Sequence, residues 1–319
     1  MNIVFLDAAS LGPGIDLQPF SRWGDLSVWP NTGLDDRRAR LADCHVAVSN
    51  RVPLDGEVFS ACPHLKLVLL TATGFNHIDL EAARSHGVAV CNVVDYSTQS
   101  VAQHTVALLL TLMEQTAWLD SFAKNRWAGS ANFDQLGRPF HEIAGKTWGI
   151  IGLGRIGHRV ADLAAAFGAR VAYFSSTGTR RSETLPVLSL EELLWSSDIV
   201  TIHSPLTAQT RGLLSTAQLS LMKPTAYLVN TGRGGIVDET ALAAALDSGL
   251  LAGAALDVTL PEPPLPDNPL LALKHPERLI LSPHVAWASV ESRTRCLEEV
   301  ALNLQAWLNG ERRNRVDFI

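Results

Sequence analysis

Three side chains with chemical capacity stand in short loops that follow apolar, β-branched runs: Arg233 in LVNTGRGGIVDE, Glu262 in ALDVTLPEPP and His284 in LSPHVAW. An imidazole beside a carboxylate can give or take a proton near neutral pH, because the carboxylate favours the charged ring and fixes its tautomer. A guanidinium offers a planar fork that can hold a carboxylate oxygen and a carbonyl oxygen together, which lysine cannot. Singly, each residue has a plain structural alternative: a histidine closing a strand, an arginine in a solvated glycine turn, a glutamate among prolines. Their shared position, at or beyond the carboxyl ends of expected parallel strands, is where open α/β sheets bind ligands.

A fourth signal is GIIGLGRIGHRVADLAAAFGARVAYFSS, a GxGxxG formed by Gly152, Gly154 and Gly157 directly after one strand and opening a helix that leads to another. The first glycine permits the tight turn, the second lets the backbone approach a pyrophosphate, and the third lets the helix pack on the sheet. The N–H groups of Arg155 and Ile156 at the helix start are expected to receive the phosphate charge. A fold of this type that prefers NAD usually ends its second strand with an acid on the ribose 2′-hydroxyl. Here Ser175 holds that place, followed by Ser176, Thr177, Arg180 and Arg181. Those donors and cations suit a 2′-phosphate, so the expected cofactor is NAD(P)(H), leaning to NADP(H). The alternative is that both arginines face water and NAD is accepted.

These stretches, together with TATGFNHIDLEAARSHGVAVCNV and STQSVAQHT, resemble the D-2-hydroxyacid dehydrogenases over nearly the whole chain. SVAQHT with SPHVAWAS is further similar to the glycerate dehydrogenase or hydroxypyruvate (glyoxylate) reductase branch. The resemblance implies reduction of a small 2-oxo acid to a 2-hydroxy acid, with a hydride from nicotinamide, a proton from His284 paired with Glu262, and Arg233 on the substrate. It implies that Thr73 and Gly74 present backbone N–H groups to the substrate carboxylate. Asp257 would accept from the nicotinamide amide, and Thr105 would lie near the cofactor. His203, Ser204 and Pro205 in IHSP, with Thr231 and Gly232, would line the cofactor pocket. Two departures stand out: Gln103 replaces the glutamate many members carry, and no acid occupies position 175. Glu262 argues against the formate-oxidising branch, which uses an amide there. Two rival readings stay open: a dinucleotide-sensing, corepressor-like binding protein of the same fold, and a dehydrogenase for phosphoglycerate or a sugar acid.

The elements that must position these residues follow from an alternation of β-branched runs with helical patterns. NIVFLD, HVAVSN, LKLVLLTATG and VAVCNV form a first set; TWGIIGLG, RVAYFSS, DIVTIHSP, AYLVNTGRGG, GAALDV and LILSPH form a second. The pattern predicts α/β architecture with two doubly wound parallel sheets: a Rossmann dinucleotide-binding domain and a smaller, flavodoxin-like substrate domain. The substrate domain is expected over 1–96 plus 286–319, the NAD(P) domain over 97–285, with substrate in the cleft between them. LILSPHVAW is expected to begin as a buried strand that Pro283 ends. STQSVAQHTVALLLTLMEQTAWL predicts one long buried helix, and the irregular AKNRWAGSANFDQLGRPFHEIAG after it suggests an arm for a homodimer or a plain loop. The final helix is expected to stop at Gly310.

With 319 residues, 47% hydrophobic and 18% charged, the chain can build two cores. A net charge of -6 argues against nucleic acid and membrane surface as partners. Four scattered cysteines without metal-ligand spacing predict no metal and no disulfides, and with the absence of a signal-like start they suggest a cytoplasmic protein.

Overall fold

The structure, a computed structural model, describes residues 1–182 and 184–318. The chain divides into two compact units, Met1–Ser97 with Ala288–Ile319 and Thr98–Trp287. In the first unit β1 (Asn2–Phe5), β2 (Asp25–Val28), β3 (Val46–Ser49), β4 (Leu67–Leu70) and β5 (Ala89–Cys91) form an all-parallel sheet in the order β2-β1-β3-β4-β5. Helices α1 (Arg37–Leu41), α2 (Gly56–Ala61) and α3 (Leu80–Ser85) lie in the crossovers. Every residue of β3 and β4 is buried, which is why both read as unbroken apolar runs instead of alternating ones.

The second unit begins with α4 (Thr98–Met113) and α5 (Thr116–Asn125). Its parallel sheet follows: β6 (Thr147–Ile151), β7 (Arg170–Phe174), β8 (Ile199–Ile202), β9 (Tyr227–Asn230), β10 (Gly253–Leu256) and β11 (Leu279–Leu281), in the order β11-β10-β9-β8-β6-β7. The crossover helices are α6 (Arg155–Ala166), α7 (Leu190–Ser196), α8 (Thr216–Leu219) and α9 (Glu239–Ser248). One apolar cluster, with Leu193, Leu228 and Leu242, fills one side of this sheet; another, with Leu109, Trp148 and Val160, fills the other. The strand order reverses at β6, so the crevice beside its carboxyl end is the switch point where such sheets take ligands. The final helix, α10 (Val290–Leu308), belongs to the first unit. Gly310 at φ +76 ends it: Gly310 N donates to Trp307 O and Glu311 N to Ala306 O, the paired bonds of a left-handed cap.

Three features depart from the expectations. The first sheet has a fifth strand, β2, whose sequence DLSV is mostly exposed at the sheet edge and so lacks the apolar signature of its neighbours. The long helix is two: Gln115 adopts φ +53, which breaks the helix between Met113 and Thr116. Finally, β11 is not a buried strand. It lies at the edge of its sheet, with Leu281 38% exposed.

Candidate active site

The turn from β6 to α6 is built by its glycines. Gly152 sits at φ +93, and a Cβ there would stand 2.3 Å from Ser204 Oγ; at Gly157 it would stand 2.3 Å from Gly152 O. Any side chain at either place would push helix or neighbouring loop off the sheet. Gly154 differs, since a Cβ there would meet nothing within 4 Å. It is the N-cap of a twelve-residue helix and, being glycine, brings no capping side chain; Arg155 and Ile156 open the first turn beyond it. That cradle fits a pyrophosphate: a helix start with its dipole directed outward and room for close backbone approach. Beyond β7, Ser175 Oγ lies 3.3 Å from Thr177 Oγ1, and Arg180 Nε donates to Ser182 O at 3.0 Å. Ser176 lies between them in the same turn.

His284 and Glu262 meet: Nδ1 of the ring is 2.6 Å from Glu262 Oε2, both side chains partly exposed. A carboxylate only accepts, so Nδ1 carries the hydrogen and Nε2 is left as the ring's working face. Glu262 is itself held, its Oε1 accepting from Thr259 N at 3.2 Å. The Arg233 turn comes against this loop because Gly234 allows it; a Cβ there would be 1.9 Å from Thr259 O. Arg233 Nη1 donates to Gly232 O at 2.8 Å. Asn230, at the end of β9, shapes the same turn, accepting from Gly232 N at 3.0 Å and donating to Arg233 O at 3.0 Å. The structure thus draws the β9, β10 and β11 connections together at one edge of the sheet, the edge that also carries the glycine turn.

The remaining expected residues divide into open and buried. Thr105 is fully buried on α4, bonded to Val101 O and, at 2.9 Å, to Thr231 Oγ1, which in turn lies 3.4 Å from His203 Nδ1. Burial pushes the His203 ring down to about 3, so it is neutral, and its Nε2 has no hydrogen-bond partner among the described residues. Ser204 Oγ donates to Ile151 O, and Pro205 O accepts from Thr210. Asp257 is 1% exposed, and its carboxylate is occupied by Ser282 Oγ, Val285 N and Ala286 N. In the first unit, Thr73 and Gly74 follow β4; Thr73 Oγ1 donates to Val93 O and its carbonyl accepts from Asn92. Their two N–H groups have no acceptor among the described residues. The sequence reading missed Asn230, His104 and Ser282. For Asn230 an available signal was the N-x-G spacing of an Asx turn.

A cavity of about 500 Å³ also opens in the second unit, lined by Arg211, Asp238, Glu239, Leu260, Pro261 and Asn268 among others. It contains none of Arg233, Glu262 and His284, and the convergence of those three on one sheet edge outweighs its size as a guide to the chemistry.

Known proteins resemble the chain over nearly its whole length. The family described as D-isomer specific 2-hydroxyacid dehydrogenase, NAD binding domain, matches residues 106–286. The chain is 34% identical to a hydroxypyruvate reductase of Blautia hydrogenotrophica, covering 99% of this chain and 100% of that one. It is 39% identical to a glyoxylate reductase of Aeropyrum pernix over 92% of this chain and 90% of the other. Among solved structures, an acyclic imino acid reductase in complex with NADPH and D-Arg superposes with a TM-score of 0.86 at 29% identity, covering 99% and 100% of the two chains. A glycine cradle for a nicotinamide dinucleotide, a histidine paired with a carboxylate, and full-length similarity to named reductases together place this chain in the D-isomer specific 2-hydroxyacid dehydrogenase family.

Proposed function

We propose that the protein reduces small 2-oxo acids, hydroxypyruvate and glyoxylate first among them, to the corresponding D-2-hydroxy or hydroxy acid. The observation that carries this reading is the 2.6 Å pair of His284 Nδ1 and Glu262, on the sheet edge that bears the glycine cradle. A nicotinamide dinucleotide held at that cradle would supply the hydride. His284, charged before reaction, gives its Nε2 proton to the carbonyl oxygen and keeps the Nδ1 proton bonded to Glu262, so the neutral ring is left in one tautomer. Arg233 holds a carboxylate oxygen and the carbonyl oxygen, stabilising the negative charge that develops. Thr73 and Gly74 are assigned the remaining carboxylate donors, because their N–H groups have no acceptor among the described residues. Ser175, Ser176, Thr177 and Arg180 favour the 2′-phosphate of NADP(H) over a bare hydroxyl. The irregular arm after α5 is read as a homodimer contact, since it exposes Trp127, Phe133, Leu136 and Phe140. Four buried, unbridged thiols suit a reducing, cytoplasmic setting.

The deciding experiment presents glyoxylate, hydroxypyruvate, pyruvate and a phosphorylated oxo acid with NADPH or NADH and follows nicotinamide absorbance. Highest kcat/KM with the first two acids and NADPH is the expected result. Absence of turnover with every acid would overturn the enzymatic reading in favour of a dinucleotide sensor.

A further inference from the structure

His284 stands at φ +54, a left-handed conformation that a residue with a Cβ adopts only when its surroundings impose it. The bonds that impose it centre on Asp257. Its main-chain oxygen accepts from His284 N at 2.8 Å, while its carboxylate accepts from Val285 N at 3.0 Å and Ala286 N at 2.9 Å. The turn is therefore wrapped around one buried carboxylate. That carboxylate must itself be fixed, and two side chains do so. Ser282 Oγ lies 2.5 Å from Asp257 Oδ1, and His104 Nε2 lies 3.1 Å from Ser282 Oγ and 3.6 Å from Asp257 Oδ1. Because Asp257 can only accept, the Ser282 hydroxyl points its hydrogen at it, and the hydroxyl's lone pairs face the His104 N–H. Donation converges on Asp257: His104 to Ser282 to Asp257 from one side, and the N–H groups of the His284 turn to Asp257 from the other. One turn earlier on α4, Ser100 Oγ donates to Ala286 O at 2.6 Å, so the same helix face grips the turn twice.

We propose that His104 and Ser282 are positioning residues for the proton donor: through Asp257 they lock the left-handed turn that aims His284 at the carbonyl oxygen. The inference rests on the reading of His284 as proton donor. Deprived of one donor, the buried carboxylate re-seats on the donors it keeps, and those are the N–H groups of the turn itself. Losing the His104 N–H or the Ser282 hydroxyl then frees the turn to relax from φ +54, and the imidazole moves with it.

The test compares His104→Leu, His104→Gln, Ser282→Ala and His284→Ala with the parent enzyme, measuring kcat and KM for the oxo acid and the dinucleotide Kd. His104→Leu and Ser282→Ala are expected to lower kcat roughly ten- to hundredfold, the scale on which misplacement of a reacting group is felt. Dinucleotide Kd should stay within about twofold, since the cradle at α6 is untouched. His104→Gln, whose amide can still donate, should recover most of kcat. Parent-like kcat in both His104→Leu and Ser282→Ala, with His284→Ala inactive, would overturn the positioning role alone. So would a glutamine variant as slow as the leucine one, or a loss confined to dinucleotide Kd. Full turnover in His284→Ala would instead remove the proton-donor reading, and this inference with it. If His104→Leu does not fold, the smaller Ser282→Ala change carries the comparison.

Discussion

At the scale of single residues, the division of labour between a proton donor and a clamp predicts two distinct kinetic signatures. His284→Ala should lose roughly 10²–10⁴-fold in kcat, the usual worth of a positioned acid, with dinucleotide Kd unchanged. Arg233→Lys keeps the charge and removes the fork, so KM for the oxo acid should rise while kcat falls by about 10²-fold or more, as when a donor to a developing oxyanion is lost. Stopped-flow reduction of the oxo acid under single-turnover conditions separates the two. The three reactive residues could be read in the sequence because each follows an apolar run, which puts all three at the carboxyl edge of a parallel sheet. Asn230, His104 and Ser282 could not be given roles that way. They are neutral or partly exposed groups whose meaning lies in a partner, and His104 meets Ser282 across a separation of 178 residues.

At the scale of elements, the two inner glycines of the cradle separate folding from binding. Gly157→Ala puts a methyl 2.3 Å from Gly152 O, a backbone atom that cannot step aside, so α6 must move off β6. A cost of about 1–3 kcal/mol in stability is expected, with dinucleotide affinity lost as well. Gly154→Ala meets no protein atom, and its φ of −85 suits any residue, so stability should change by no more than about 1 kcal/mol, the worth of an N-cap difference. Its methyl would nevertheless occupy the space through which backbone approaches the pyrophosphate, and dinucleotide titration should show a weakening of tenfold or more, roughly 1.4 kcal/mol. Equal affinity in parent and Gly154→Ala would mean the cradle is not where the dinucleotide lies. Among the elements, strands buried on both faces were legible, because burial on two sides demands continuous apolar sequence, as in LVLL and IVTI. The edge strands β2 and β11 were misjudged because solvent on one side relaxes that demand, and the break at Gln115 rests on one left-handed residue with no glycine to announce it.

At the scale of the whole molecule, the exposed arm and the acid limb of stability each make a prediction. If the arm seats a second copy, Phe133→Ser with Leu136→Ser should turn a dimer into a monomer in sedimentation equilibrium, since these side chains are 90% and 78% exposed. The acid limb turns on two carboxylates. Burial alone would raise Asp198, but the Lys223 ammonium at 2.8 Å and the Thr147 N–H at 2.9 Å outweigh it and hold the group below its ordinary range. Burial would likewise raise Asp317, yet the Arg315 fork, at 2.6 and 2.5 Å, and Val90 N at 3.0 Å bring it down. A folded-state value below the unfolded one means that the unfolded chain binds protons first. The stabilisation is therefore complete above the ordinary aspartate value of about 4 and fades as pH falls through it toward the lowered folded values. Asp198 ties β6 to the loop before β9 in the second unit, and Asp317 ties the carboxyl-terminal segment to β5 in the first, so acid should loosen both units. Asp317→Asn should weaken the protein at neutral pH, where the ion pair is intact, and flatten the fall in unfolding free energy on acidification. Urea titrations at a series of pH values read both effects, and an Asn variant whose acid limb runs parallel to the parent's would show that Asp317 takes no part in it.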